Sequence, residues 1–303
     1  MVVAGPTAVG KTSHAIALAR HFNTVVLSAD SRQCFKEMDI GVARPSVDEL
    51  KEAPHFFIAS HSIHENINAA WYETYALHLL EELFKIHDIV IVTGGTGLYI
   101  KALTEGLDFI PEVPEKIRQQ VIDGYRQSGT NWLRGQLQLH DPIFAAKGEM
   151  KNPQRMMRAL EVALGTGQSI LTFRAQQKPP RFFQTIKIGL ELPRPLLNER
   201  INQRVEWMME AGLEAEARGL WPYRHLNALQ TVGYKELFDF FDGRLTLPEA
   251  VVQIQQHTRQ YAKRQMTWFK AQSEMHWVSA AETEVVVDFV ETIRQNKALN
   301  NNP

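Results

Sequence analysis

The chain has 303 residues, a net charge of −1, 44% hydrophobic and 22% charged residues, ordinary values for a folded globular protein. Near-neutral charge excludes a global field for gathering polyanions, so such a partner must be met by local clusters. The single cysteine, Cys34, excludes an internal disulfide and a multi-cysteine zinc site, and it fits a reducing cytoplasm.

In chain order, Met1–Ala4 predicts a short first strand and Lys11–Phe22 a helix with Ile16 and Ala19 on one face. "TVVLS" (Thr24–Ser28) predicts a second strand and His55–Ala59 a third. Asn68 is placed to cap a helix through "AAWYETYALHLLEELFKI", and "IVIVT" (Ile89–Thr93) predicts a fully apolar fourth strand. Two prolines interrupt the pattern at "DFIPEVPE" (Asp108–Glu115). From there to Lys178-Pro179-Pro180 the pattern is helical: "EKIRQQVIDGYRQ", "NWLRGQLQLHD" and "NPQRMMRALEVALGTG". "FFQTIKIGLELP" (Phe182–Pro193) predicts one more core strand, and helices follow over Arg194–Leu220, Gly233–Phe241 and Pro248–Ala271. The closing "NKALNNNP" predicts a disordered polar tail. No apolar run approaches about 18 residues, which predicts no membrane span. Strands alternating with helices, several of them apolar throughout, predict an α/β fold: a P-loop NTPase-like parallel sheet flanked by helices. The expected core is 1–112 with 182–303, and 113–181 is expected to be a helical insertion of the kind that serves as a lid.

Gly5-Pro6-Thr7-Ala8-Val9-Gly10-Lys11-Thr12 satisfies G-x-x-x-x-G-K-[ST] between a strand and a helix. The glycines allow the turn and let backbone N–H groups face an anion, while the helix start adds its dipole. Lys11 neutralises charge, and the Thr12 hydroxyl can ligate Mg²⁺. Phosphate-loop hydrolases and kinases commonly place an Asp at the end of a second apolar strand. "IVIVT" instead runs into Gly94-Gly95-Thr96-Gly97 without a carboxylate. A carboxylate does follow the second strand, Asp30 in "VVLSADSRQ"; at the carboxyl edge of an open sheet it can serve a ligand, or it can cap a turn. Thr96 stands at the same edge, in a turn that contacts substrate or merely joins strand to helix.

Arg155 and Arg158 share a helix face, fit to clamp phosphate or to lie solvated beside Glu161. Val251–Lys270 carries Arg259, Lys263, Arg264 and Lys270 without an acid, interleaved with glutamines and Tyr261, Trp268 and Phe269. That composition suits an RNA groove, the other reading being a core helix with a basic outer face. His61 and His64 with Glu65 fall short of a tetrahedral metal set, and nothing marks Cys34 as a nucleophile.

Taken in order, "GPTAVGKT", "SADSRQ", "MDIGVARP", "APHFFI", "VTGGTGLYIKAL", "PQRMMRALEV", "TVGYKE" and "AKRQMTWF" resemble the bacterial tRNA dimethylallyltransferases (tRNA isopentenyltransferases) from residue 2 to about residue 270. The resemblance implies transfer of a dimethylallyl group from dimethylallyl diphosphate to N6 of adenine 37 in tRNA, with Mg²⁺ and release of diphosphate. It implies a catalytic group of Asp30 as general base, Thr96 and Lys11, phosphate binding by Gly5–Thr12, and a magnesium ligand in Thr12. It also implies RNA contacts at Asp30, Ser31, Arg32, Gln33, Thr96 and Arg118. Further RNA-contacting stretches are Gln154, Arg155, Met156, Met157 and Arg158; Gln230, Gly233, Tyr234 and Lys235; and Lys263, Arg264, Gln265, Trp268 and Lys270. The implied partners are the tRNA anticodon stem-loop and dimethylallyl diphosphate, for a cytoplasmic monomer without a membrane partner. The chain departs from the family's usual residues at Val42 (commonly a hydroxyl residue), Arg44 (commonly lysine) and Cys34-Phe35 (often an aliphatic–tyrosine pair). The alternative is a P-loop kinase of a nucleotide or small metabolite, which shares the phosphate loop but leaves the acid-free helix unexplained.

Overall fold

The computed structural model describes residues 1–175, 180–272, 274–281 and 283–300. The chain divides into two compact units, Met1–Thr104 with Arg181–Pro303, and Glu105–Pro180. The first boundary thus falls earlier than the 112/113 expected from the prolines. The last helix before it ends at Glu105, where Gly106 turns left-handed with φ 84°.

The first unit opens with β1 (Val2–Ala4), α1 (Lys11–His21), β2 (Val26–Ser28), α2 (Val47–Glu52) and β3 (His55–Phe56), then α3 (Ala69–Leu83), β4 (Ile91–Gly94) and α4 (Gly97–Glu105). The second unit holds α5 (Glu115–His140), α6 (Pro142–Lys147) and α7 (Pro153–Thr166). The first unit resumes with β5 (Lys187–Glu191), α8 (Arg194–Glu210), α9 (Leu213–Leu220), α10 (Tyr234–Phe241), α11 (Leu247–Lys270), β6 (Met275–Ser279) and α12 (Thr283–Asn300). Six parallel strands form one sheet in the order β3-β2-β4-β1-β5-β6. Alternate side chains enter two separate cores: Val2, Ala4, Leu27 and Val92 on one face, Val3, Val26, Ile91 and Ile188 on the other. Burial on both faces is why these strands are mostly apolar, although Ser28 and Lys187 are also buried in them.

Several elements differ from the sequence expectation. The third strand stops at Phe56 because Phe57 and Ala59 take positive φ, 63° and 44°, a conformation that cannot continue a strand. The helix expected over Arg194–Leu220 breaks at Gly212, whose φ is 103°; the break of α5 at Gly129, φ 69°, instead falls between the two helical stretches expected there. The sixth strand was not anticipated; it pairs with β5 over five residues, from Lys187–Met275 to Glu191–Ser279. Nor was α12, driven into the core by Val286 and Val290, one turn apart and fully buried. It runs through the start of the expected polar tail, while residues 301–303 and the Lys178-Pro179 breakpoint lie outside the described residues.

The second unit has its own core, built from Val121, Leu133, Leu137, Phe144, Met156 and Leu160. Asn152 caps α7 through the amides of Gln154 and Arg155, and Gly167 ends it at φ 71°.

Candidate active site

Three neighbouring strands of the parallel sheet, β2, β4 and β1, deliver three loops to one carboxyl edge. The loop after β1 is the phosphate motif. Ala8 is left-handed with φ 64°, and Gly10, at φ 107°, precedes the first turn of α1. A Cβ on Gly5 would meet the Leu190 carbonyl oxygen at 2.8 Å, so the loop lies directly on β5. The first-turn amides of Lys11, Thr12 and Ser13 lack intrahelical partners, the arrangement that makes a helix start an anion site. Lys11 Nζ donates to the Pro6 carbonyl at 2.8 Å. Desolvation lowers its pKa to about 8, against the raising influence of Asp30, with Arg204 lowering it further. The loop is therefore a cradle, half-buried at Thr7, Gly10, Lys11 and Thr12, next to a carboxylate.

Sequence reasoning missed the cations that α8 adds. Arg204 Nη1 approaches Thr7 Oγ1 at 3.4 Å and Arg200 Nη1 the Val9 carbonyl at 3.5 Å. Burial lowers the Arg204 pKa. Two arginines four apart on a helix are ordinary in sequence; only the fold brings them to the loop.

The loop after β2 carries Asp30. Its Oδ1 accepts the Arg32 and Gln33 amides at 2.9 and 3.4 Å, and Oδ2 has no bonding partner among the described residues. The third loop pins this one in place. Thr96 Oγ1 accepts the Ser31 amide at 3.0 Å and donates to Ser31 Oγ at 3.2 Å, and the Thr96 amide donates to the Ala29 carbonyl at 3.3 Å. Asp30 is thus both a turn cap and a carboxylate with one oxygen to spare, and Thr96 supports it through its neighbours Ala29 and Ser31. Gln33 Nε2 donates to the carbonyls of Val42 and Ala43 at 3.2 and 2.9 Å.

The departures in that segment have structural roles. Arg44 Nη2 donates to the carbonyls of Phe35, Lys36 and Met38, tying the 35–38 turn shut. Cys34 is buried, and burial together with Asp30 pushes its thiol to about 12, so it is no nucleophile. Glu216 accepts the amides of Asp39, Ile40 and Gly41 at 3.1, 2.8 and 3.0 Å, and the Tyr234 hydroxyl at 2.6 Å. A Cβ on Gly41 would strike the Tyr234 ring at 2.6 Å.

Burial corrects part of the expected RNA surface. Met156, Met157 and Tyr234 are buried and pack in cores, and Gln265 is buried with its side-chain amide bonded to Thr7 and Gly95. The methionines face inward because α7 exposes only the 154–155–158 side. Gly233 is also buried; its amide donates to Glu236 Oε2 at 2.8 Å, whose Oε1 binds His257 Nδ1 at 2.6 Å. Arg118, Gln154 and Arg155 stay exposed on the second unit, where Arg158 pairs with Glu161 at 3.2 Å. In the first unit Gln230, Lys235, Lys263, Arg264 and Lys270 are exposed; Gln230 is folded onto the Arg224 carbonyl at 2.5 Å, and Lys270 pairs with Glu191 at 3.3 Å. Helix α11 is both things at once: Ile254, Ala262 and Phe269 enter the core while Lys263 and Arg264 face out. Trp268 is partly buried over the Gly97 turn. His61 and His64 belong to no metal set, and no cluster of three or more His, Cys, Asp or Glu side chains suited to a metal exists among the described residues.

The geometry has counterparts in known proteins. The family model described as IPP transferase matches residues 33–272. The chain is 46% identical to the tRNA dimethylallyltransferase of Cytophaga hutchinsonii, over 96% of each chain, and 46% identical to that of Christiangramia forsetii, with the same coverage. Among solved structures it is similar to the full-length tRNA isopentenylpyrophosphate transferase from Bacillus halodurans, with a TM-score of 0.74, 31% identity and coverage of 100% and 98%. It is also similar to a eukaryotic dimethylallyltransferase acting on tRNA, at TM-score 0.80 and 25% identity, covering 100% of this chain and 79% of that one. The chain therefore belongs to the tRNA dimethylallyltransferase (IPP transferase) family, a family of prenyl-transferring enzymes.

Proposed function

We propose that this chain transfers a dimethylallyl group from dimethylallyl diphosphate to N6 of adenine 37 in tRNA and releases diphosphate. One observation carries the reading: Asp30, with Oδ2 unengaged, stands at the same sheet edge as the Gly5–Thr12 cradle, while β4 ends in Gly94 without a carboxylate. That arrangement suits an amine nucleophile and a departing diphosphate rather than attack on a phosphorus atom.

In the reaction the N6–C1 bond forms and the C1–O bond to diphosphate breaks, the leaving oxygen keeping the electron pair. The first-turn amides, Lys11, Arg200 and Arg204 neutralise the charge that grows on it. The N6 lone pair is delocalised into the adenine ring, so the amine is a weak nucleophile. Asp30 Oδ2 takes the N6 proton as the new bond forms, which offsets that weakness, and Thr96 holds the Asp30–Ser31 segment in line. The residues fit a magnesium ion bound mainly through substrate: the Thr12 hydroxyl makes no described hydrogen bond and offers a hard oxygen, and the remaining ligands would come from diphosphate and water. When bound, Mg²⁺ supplies further neutralisation of the diphosphate.

The RNA is proposed to be the anticodon stem-loop. Its phosphates fit Lys263, Arg264 and Lys235 on the first unit and Arg118 and Arg155 on the second, each a set of exposed cations. Presenting adenine to Asp30 requires it to leave the loop stack, at a cost of a few kcal/mol. The enzyme is proposed to act as a cytoplasmic monomer; no described helix is long and apolar enough to cross a membrane. The kinase alternative gains nothing from a β4 edge without an acid.

Incubation with radiolabelled dimethylallyl diphosphate, with an anticodon stem-loop, AMP or ATP as acceptor, tests the reading. Label on the RNA adenine is expected. Label on AMP, or ATP turnover without allyl diphosphate, overturns it.

A further inference from the structure

Gln265 is a buried amide on α11, directly beside the exposed Arg264. A carboxamide tolerates burial only when both of its ends are bonded. Here Oε1 accepts the Thr7 amide at 2.8 Å, and Nε2 donates to the Gly95 carbonyl at 2.9 Å. One partner lies in the phosphate loop and the other in the turn after β4. One partner is a donor and the other an acceptor, so the two ends of the amide are uniquely assigned. Helix α11 also presses on the turn: a Cβ on Gly95 would stand 2.3 Å from Gln265 Nε2, and one on Gly97 2.1 Å from Trp268 Nε1. Between these glycines, Thr96 holds Ser31, the neighbour of Asp30.

The bonds form one line from Thr7 through Gln265 and Gly95 to Thr96 and the Asp30–Ser31 segment. We infer that Gln265 is a positioning residue, fixing the separation between the diphosphate cradle and the Asp30–Thr96 pair rather than contacting RNA. The inference rests on the prenyl-transfer reading above, since it needs leaving group and base to act on one substrate pair. Reaction rates respond to such alignment steeply, with a displacement of about 1 Å costing roughly 100-fold.

Two variants test it. Gln265→Leu keeps the bulk and loses both bonds. Gln265→Glu keeps an acceptor for Thr7, and it restores a donor toward Gly95 only when protonated, which burial favours at a raised pKa. Single-turnover rates are measured at saturating RNA and dimethylallyl diphosphate, with RNA Kd measured separately. For Gln265→Leu the rate is expected to fall by about 10- to 100-fold with RNA Kd unchanged. For Gln265→Glu the rate relative to the unmodified enzyme is expected to rise as pH is lowered, a response that loss of packing would not give. An unchanged rate in Gln265→Leu overturns the inference, as does weaker RNA binding with an unchanged saturated rate, or a ratio for Gln265→Glu that is flat with pH. If Gln265→Leu fails to fold, the pH ratio of Gln265→Glu decides alone. An unmodified enzyme that does not prenylate RNA sinks the functional reading, whereas an active one matched by its variants sinks only the positioning role.

Discussion

Asp30→Asn separates chemistry from architecture at the β2 edge. Asp30 Oδ1 accepts the Arg32 amide at 2.9 Å and the Gln33 amide at 3.4 Å, and an asparagine carbonyl can accept both, so the turn survives. What disappears is the capacity to take the N6 proton. General-base catalysis contributes about 10²- to 10⁴-fold, or about 3–5 kcal/mol of barrier at 1.36 kcal/mol per tenfold. Asp30→Ala loses the turn bonds as well, each worth about 1 kcal/mol, so its thermal midpoint drops while that of Asp30→Asn does not. A side effect needs control: Asp30 raises the Lys11 pKa, and without it Lys11 titrates below about 8. Rapid-quench single turnovers run well below pH 8 lessen this difference in Lys11 charge between the two enzymes. The expected result is a chemical step slowed by at least about 100-fold with unchanged RNA affinity by filter binding. A rate within about threefold of the unmodified enzyme would remove Asp30 from the base role.

Four further outcomes are expected. Diphosphate binding should take up a proton above pH about 8, because a bound anion favours the charged form of Lys11, whose pKa is lowered to about 8 from 10.5 by desolvation; calorimetry in two buffers of different ionisation enthalpy should show the uptake, absent in Lys11→Met. The same shift acts on stability with a fixed sign: between about 8 and 10.5 the unfolded chain binds more protons at this residue, so its destabilising contribution is full below pH 8 and is relieved as pH rises. Arg264→Ala should lower the slope of log affinity against log salt by about 1, with the larger affinity loss at low salt; an unaltered slope means the outer face of α11 is not an RNA surface. Glu216→Ala should cost about 2–3 kcal/mol in urea denaturation, since a carboxylate is lost from three amides and a phenol, and Tyr234→Phe should cost less; equal stability of all three proteins would show that the 39–41 turn stands without this clamp.

The sequence shows most plainly what is local. The phosphate loop is legible because its spacing is its mechanism, and four of the six strands because burial on both faces leaves mostly apolar residues. The strand Met275–Ser279 escaped because its pattern is not apolar: His276 is exposed at the edge of the sheet, and only its pairing with β5 reveals a strand. Gln265 looked like one more polar residue on a basic helix. Its partners are 258 and 170 residues away, a separation no local pattern encodes. The same holds for Arg200 and Arg204, which reach a loop some 190 residues earlier. The inward turn of Met156 and Met157 was readable in principle, since helical periodicity alone puts Gln154, Arg155 and Arg158 on the opposite side.

The Gly94 position explains why no carboxylate stands at the end of β4. In phosphoryl-transferring relatives of the loop, a carboxylate at a strand end organises the metal and the γ-phosphate. Here a Cβ at Gly94 would lie 2.3 Å from the Ala29 carbonyl oxygen and 2.9 Å from its Cα. Those are backbone atoms that cannot swing aside, so no acidic side chain fits at position 94, the last of β4. The space is filled by the β2 loop itself, drawn in through the Ala29 amide to the Thr93 carbonyl at 2.7 Å and the Thr96 amide to the Ala29 carbonyl at 3.3 Å. The close approach that excludes an acid from β4 therefore brings Asp30, one residue on, to the cradle from the side. A carboxylate in that place is suited to accept a proton from an incoming amine, and the carbon that the amine attacks is the one the diphosphate leaves.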